Sequence, residues 1–398
     1  MKLHQILWQL LILLLPLQLG YHFWPDFSFV LGIRVDYLSP TIYLTDLVVV
    51  GVLFSWFWTK KDRFTTQRYW YLFAIFLYLF LVSIFADNSG AALYKFLKIL
   101  ELFLVGFYVA KTKPWRITAL PLALGLIYES LIVLAQFLKQ ASLGGPFWWL
   151  GERTFSAGTP GIALGEWGGR LFLRPYGTFS HPNSMGGFSL VGLILVWFLG
   201  KHLAFWLKLV VSLLVFLMII LSFSQAVWLA GLMVIALFLI VRFRVSKILA
   251  LLLTACFLSL GFLFFLPNQE SQSFQERVHL IKVALGMIKE SPLTGIGLNN
   301  FIPHLSNFGN GGEIYLLQPV HNLFLLVAAE TGLVGLLIFL WLLILTYKKL
   351  LRPLRYAPCA SLTAILLLGL FDHYWLTLQQ NQLLLAVVFG FLWVKRVE

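Results

Sequence analysis

Two polar stretches interrupt a chain that otherwise reads as membrane helix. The first is Arg174-Pro-Tyr-Gly-Thr-Phe-Ser-His-Pro-Asn183. The second ends in Pro292-Leu-Thr-Gly-Ile-Gly-Leu-Asn-Asn-Phe301 and then His321-Asn322, at the mouth of another apolar run. Arginine presents a planar fork of donors suited to phosphate, and it keeps its charge in almost any environment. A neutral histidine at a membrane interface can take a proton from a hydroxyl near neutral pH. Fixed arginines and a histidine at two such loops point to a site that holds a phosphate-bearing lipid and moves a proton beside it.

Each residue also has a plainer reading. Arg174, just before Pro175 and a Gly-Thr-Phe turn, fits an interfacial arginine that snorkels to the headgroups. Asn183 stands before an apolar run, where an Asx turn over His181-Pro-Asn183 would cap the next helix. His181 itself is open. His321 is a candidate base or a polar residue that starts a helix, and Asn322 orients its ring or caps that helix. Glu330 lies nine residues on, about 13 Å deeper and on the opposite face of a regular helix. It reads as a packing carboxyl. Asp46, Lys95, Lys98, Glu101, Glu129, Gln136, Asp372 and His373 also fall within apolar runs, where ionisable groups are functional by default. Lys98 and Glu101, three apart, neutralise each other on a helix. Asp372-His373, near the end of a run on the same side as both loops, is a supporting site element.

The elements that must position these residues follow from composition. Of 398 residues 60% are hydrophobic and 11% charged, against about 25% charge in a soluble domain. Mean hydropathy is +0.88. The expectation is an all-α, polytopic integral membrane protein, a single domain over 1–398. About twelve transmembrane helices fit, near 3–20, 41–58, 68–86, 91–110, 115–138, 184–200, 203–222, 225–241, 247–266, 320–346, 357–376 and 379–394. The first run, Leu3 to Leu19, has a charged residue before it and no small-residue cleavage site after it, so it reads as a retained span.

With both termini in the cytoplasm, basic residues gather on the inside connections, as in Lys60, Lys61, Arg63 and Arg68, or Lys348, Lys349, Arg352 and Arg355. Two connections on the other side are long, over 139–183 and 267–320, and long ordered loops tend to be functional. The second carries Phe274, Val278, Ile281, Leu285 and Ile288, spaced alternately four and three residues apart, which makes one helical face that ends at Pro292. Arg277 flanks that stripe. An amphipathic helix on the outer membrane surface, with Arg277 at headgroup depth, puts the chemistry on the extracytoplasmic face.

Other classes are disfavoured. The net charge of +13 is spread over short loops that face anionic lipid, which points to membrane lipids and away from nucleic acid. Cys256 and Cys359 fall at different depths, so no disulfide is expected. No cysteine pairs or histidine spacings of a metal site occur, nor a P-loop or dinucleotide fingerprint. No metal or cofactor is therefore expected, and a transferase here must take its energy from a preactivated donor.

Taken together, Arg174–Asn183, an outer-loop Arg277 about fifteen residues before Pro292–Phe301, then His321–Leu325 and Glu330–Gly332, resemble the O-antigen ligase and polymerase superfamily of bacterial envelope glycosyltransferases. The resemblance covers a core of 174–335. It implies metal-independent transfer of a glycan from undecaprenyl diphosphate to an acceptor hydroxyl on the outer face of the cytoplasmic membrane. Arg174 and Arg277 would hold the diphosphate and His321 would activate the hydroxyl, with Asn322, His181, Asn183, Gln225 and Asp372 in support. Family members often carry Ser-Arg in the helix around Ser222–Trp228, whereas Gln225 stands where that arginine would fall. Glutamine cannot neutralise a phosphate. Either Arg153, Arg170 or Lys282 compensates, or the donor differs, or activity is weak. A polysaccharide polymerase and a protein O-oligosaccharyltransferase of the same superfamily share these motifs, because acceptor choice, whether glycan, lipid or protein, lies in loop shape. A twelve-span secondary transporter is the rival from another class; it typically shows internal repeats and broken helices at mid-membrane, and no repeat is visible.

Overall fold

The computed structural model describes residues 1–59, 70–242, 249, 272–308, 317–348 and 356–394. Within them the chain is mostly helical: α1 (Leu3–Leu13), α2 (Leu44–Thr59), α3 (Trp70–Ile84), α4 (Ser89–Thr112), α5 (Trp115–Lys139), α6 (Pro182–Leu199), α7 (Phe205–Leu221) and α8 (Gln225–Arg242) come first. After them come α9 (Gln272–Glu290), α10 (Phe301–Phe308), α11 (Leu323–Lys348), α12 (Tyr356–Gly369), α13 (Tyr374–Thr377) and α14 (Gln379–Leu392). Of these, α5, α6 and α11 are long and apolar enough to cross a membrane, and further apolar helices are shorter. The run expected at 247–266 lies outside the described residues.

Apolar residues surround most of these helices, so a helix can bury one side and still present hydrocarbon on the other. Trp8, Trp56, Tyr108, Phe188, Trp375 and Phe391 fill the core where α1, α2, α4, α5, α6 and α14 meet. Gly106 of α4 and Gly390 of α14 let those backbones close: a Cβ at Gly106 would stand 3.1 Å from the Ala386 carbonyl. Small residues serve helix association where lipid supplies no hydrophobic drive. Phe54, Trp58, Trp206, Leu213 and Phe216 face outward, more than half exposed, an apolar surface far larger than a water-soluble protein tolerates.

Among the described residues, three short antiparallel strand pairs, two of them hairpins, depart from the all-α expectation. β1 (Gly20–His22) pairs with β4 (Thr41–Tyr43), β2 (Phe29–Val30) with β3 (Ile33–Arg34), and β5 (Leu164–Trp167) with β6 (Arg170–Leu173). The first expected run also shortens: α1 stops at Leu13 and the chain turns into β1.

Two features go beyond the sequence reading. Of the stripe on α9, Phe274, Ile281 and Leu285 are exposed, while Val278 and Ile288 are half-buried. Leu280, Val283, Ala284 and Met287 form a second face that packs against α10 and α11, joined by Ile288 of the stripe. That second face is shorter, but its small Ala284 permits close approach, so it takes the protein contact. Helix α11 also breaks at Gly332 (φ +64, ψ −177). There the glycine motif clasps it: the Ile296 and Gly297 amides donate to the Ala329 and Glu330 carbonyls, and the Leu333 amide to Pro292. The Glu330 carboxyl accepts from the backbone amides of Asn299 and Phe301, which bears out its reading as a packing group. Pro292–Phe301 is thus a bracket for a bent helix.

Candidate functional site

The Arg174–Asn183 stretch is held from below by buried polar groups of α5. Gln136 Oε1 accepts from the Tyr176 and Gly177 amides at 3.0 and 2.7 Å, and its Nε2 donates to the Gly177 carbonyl and Glu152. Glu129 Oε1 accepts from the Thr178 amide at 2.8 Å. Gly177 has φ +61, and a Cβ there would strike Glu129 at 1.9 Å, so only glycine fits. Glu129 and Gln136 are therefore braces that fix Arg174.

Arg174 Nε donates to the Ser222 carbonyl at 2.8 Å, at the turn between α7 and α8, and Nη2 donates to Asn183 Oδ1 at 2.6 Å. Asn183 Nδ2 donates onward to Asp372 Oδ2 at 3.3 Å. Asn183 is thus not the helix cap expected. His181 caps α6 instead, its Nδ1 accepting the Asn183 amide at 3.1 Å. Proline at the next position leaves Asn183 inside the first turn, its side chain free to bridge Arg174 to Asp372.

Asp372 and His373 lie between α12 and α13. The His373 amide donates to Asp372 Oδ1 at 2.8 Å, and its ring stands edge-on to His321 with centroids 5.2 Å apart. Asn322 caps α11, accepting the Leu325 amide at 2.9 Å, and its Nδ2 reaches the Leu370 carbonyl. It thereby ties the loop of His321 to the loop of Asp372.

Arg174, Arg277, His181, Asn183, His321 and Asp372 all line one cavity of about 650 Å³. They come from segments far apart in sequence. Gln225 does not join them: it is exposed at the start of α8. Of Arg153, Arg170 and Lys282, only Arg153 lines the cavity, beside Asp36 at 3.8 Å. His373 and Lys95 line it too; an ionisable residue in an apolar run was the sequence signal for both.

The electrostatics follow from burial and neighbours. Burial pulls Arg174 down to about 10, with Arg277 adding to the effect, so it remains a cation at neutral pH. Burial would raise Asp372, but His321, His373 and His181, which become charged at the acidity where it titrates, together with Arg277 hold it at about 2. Burial pushes His321 below its ordinary 6.5, against the opposing pull of Asp372. The arrangement is a neutral imidazole beside a fixed carboxylate, with two guanidinium groups in the same cavity.

A carboxylate and two histidines also suit a metal ion. One ligand atom from each of His321, Asp372 and His373 lies within 4.8 Å of the others. Sequence spacing had given no such cluster, because His321 and Asp372 are joined only through the fold.

Helices of membrane-spanning length, with a cavity lined by Arg174, Arg277, His321 and Asp372, point to a multi-helix membrane protein. Residues 210–340 match the model of the O-antigen ligase family. That match covers about a third of the chain and supports the resemblance to the O-antigen ligase superfamily, a family that suggests glycan transfer, with lipid-linked glycans and glycan acceptors in general as partners. The match contains Arg277 and His321; Arg174 and Asp372 reach the same cavity from outside it. No curated protein matches the chain closely.

Proposed function

We propose that the protein transfers a glycan from undecaprenyl diphosphate to an acceptor hydroxyl at the extracytoplasmic face of the cytoplasmic membrane. In this reading about twelve spans cross that membrane, both termini are cytoplasmic, and the cavity opens outward. The observation that carries it is the convergence of Arg174, Arg277 and His321, from three separate segments, on one cavity.

His321 takes the proton of the acceptor hydroxyl as the oxygen attacks the anomeric carbon. The bond from that carbon to the diphosphate oxygen breaks, and the electron pair leaves with the diphosphate. Arg174 and Arg277 stabilise the charge that develops there. Asp372 stabilises the imidazolium formed, as a buried carboxylate does beside a catalytic histidine. Attack from the far side inverts the anomeric centre.

The test is transfer from a fluorescent undecaprenyl-diphosphate oligosaccharide by purified protein in nanodiscs. Label moved to a lipid or glycan acceptor means a ligase, a lengthened lipid-linked glycan a polymerase, and label on protein an oligosaccharyltransferase. No transfer to any of the three defeats the reading. We propose that the arginines make a metal unnecessary; the cluster of His321, Asp372 and His373 favours the opposite. Turnover unchanged in EDTA supports the first, and loss restored by a divalent ion supports the second.

A further inference from the structure

Helix α4 carries two lysines one turn apart with opposite surroundings. Lys98 donates to Asp46 at 2.8 Å and to Glu101 at 2.7 Å, so it is neutralised within the bundle. Lys95 has no carboxylate within 4.0 Å among the described residues. The carboxyl that acts on it from farther away, Glu330, is engaged with the amides of Asn299 and Phe301. Its ammonium donates to the Leu376 carbonyl, which Gln382 also uses. An ammonium has three donors, so two remain.

Lys95 lines the cavity already described. It sits six residues into α4, about 9 Å along the helix from its first residue, whereas Arg174, His321 and Asp372 are in loops at that end of the bundle. Tyr43, Tyr94, Gln379 and Gln382 line the cavity with it. Around 650 Å³ is in the range that takes a whole small ligand, roughly 300–1,000 Å³. A half-buried ammonium with no carboxylate in contact among the described residues is costly, and amides and phenols beside it suit sugar hydroxyls.

We propose that Lys95 forms a second anion subsite, which takes a carboxylate or phosphate group carried on the glycan. The proposal rests on the glycan-transfer reading of the same cavity. It makes Lys95 a residue that selects acidic glycans, with the diphosphate left to Arg174 and Arg277.

The test measures binding to the full-length protein in nanodiscs, with no turnover needed. The probes are glucuronate-containing and glucose-6-phosphate-containing oligosaccharides and their neutral glucose counterparts, free and linked to undecaprenyl diphosphate. Undecaprenyl diphosphate alone is the control. Wild type should bind an acidic glycan about tenfold or more tightly than its neutral counterpart. Lys95→Met should abolish that preference, Lys95→Arg should keep it, and neither should change binding of undecaprenyl diphosphate. Loss of preference confined to lipid-linked probes places the acidic group on the donor, and loss confined to free probes places it on the acceptor. Equal binding of acidic and neutral glycans by wild type, or a preference that survives Lys95→Met, overturns the proposal. Failure of undecaprenyl diphosphate to bind wild type would strike the donor reading instead, and the free-glycan comparison would still decide on Lys95.

Discussion

Asn183 joins the two halves of the site, since its carbonyl oxygen holds Arg174 while its amide holds Asp372. Asn183→Ala should raise the KM for lipid-linked donor by about tenfold, the loss of one charge-assisted hydrogen bond, and leave the fold intact. Steady-state kinetics with circular dichroism check this, and an unchanged KM would contradict it. The pH profile tests His321 directly. A base must be neutral to act, and burial holds His321 below 6.5, so its protonated form appears only at lower pH. The acid limb of kcat/KM should therefore be centred below 6.5; a centre above that value would exclude His321 as the titrating group. At this scale the sequence was informative where chemistry is local. The fork of Arg174 and the imidazole of His321 were legible as types, and the pairing of Lys98 with Glu101 followed from helical spacing. The role of Asn183 was not, because its partners lie nine and 189 residues away, and the cap it was expected to provide went to His181.

Among elements, the glycine motif and the bend of α11 act as one unit. Gly332 has φ +64, and a Cβ there would meet the Leu293 carbonyl at 2.2 Å. Gly332→Ala should destabilise the protein by about 1–3 kcal/mol, seen as a lower Tm in detergent. Gly158→Ala, where the nearest atom is 4.0 Å away, should leave Tm unchanged. Equal behaviour of the two variants would contradict the bracket. The helices were readable as apolar runs because lipid and core both demand apolar side chains. That same uniformity hid the second packing face: the regular stripe of α9 was visible, yet Leu280, Val283, Ala284 and Met287 make most of the contact, with Ile288 of the stripe beside them. The strand pairs of the loops were not legible either, since strands of two to four residues leave no periodicity to read.

For the whole molecule, burial of neutral histidines fixes a direction of acid sensitivity. Burial pushes His181 and His373 down to about 3 from 6.5, so the unfolded chain binds protons that the folded one refuses. Their contribution is complete above about 6.5 and declines as pH falls toward 3. Tm should thus be flat above neutrality and fall below about 6.5. His181→Asn, which keeps a capping side chain, should flatten the acid part of that curve, and an unaltered acid slope would contradict the assignment. Bringing the site together is the work of the whole fold, because β6, α6, α9, α11 and the loop after α12 each deliver one piece to the cavity. The most direct test of that account separates binding from chemistry at His321. Donor binding and transfer would be measured side by side for wild type and His321→Ala in nanodiscs with undecaprenyl-diphosphate oligosaccharide. The account predicts donor affinity within about twofold of wild type and transfer reduced by 10²–10⁴, the usual worth of a general base; transfer that persists in His321→Ala would contradict it.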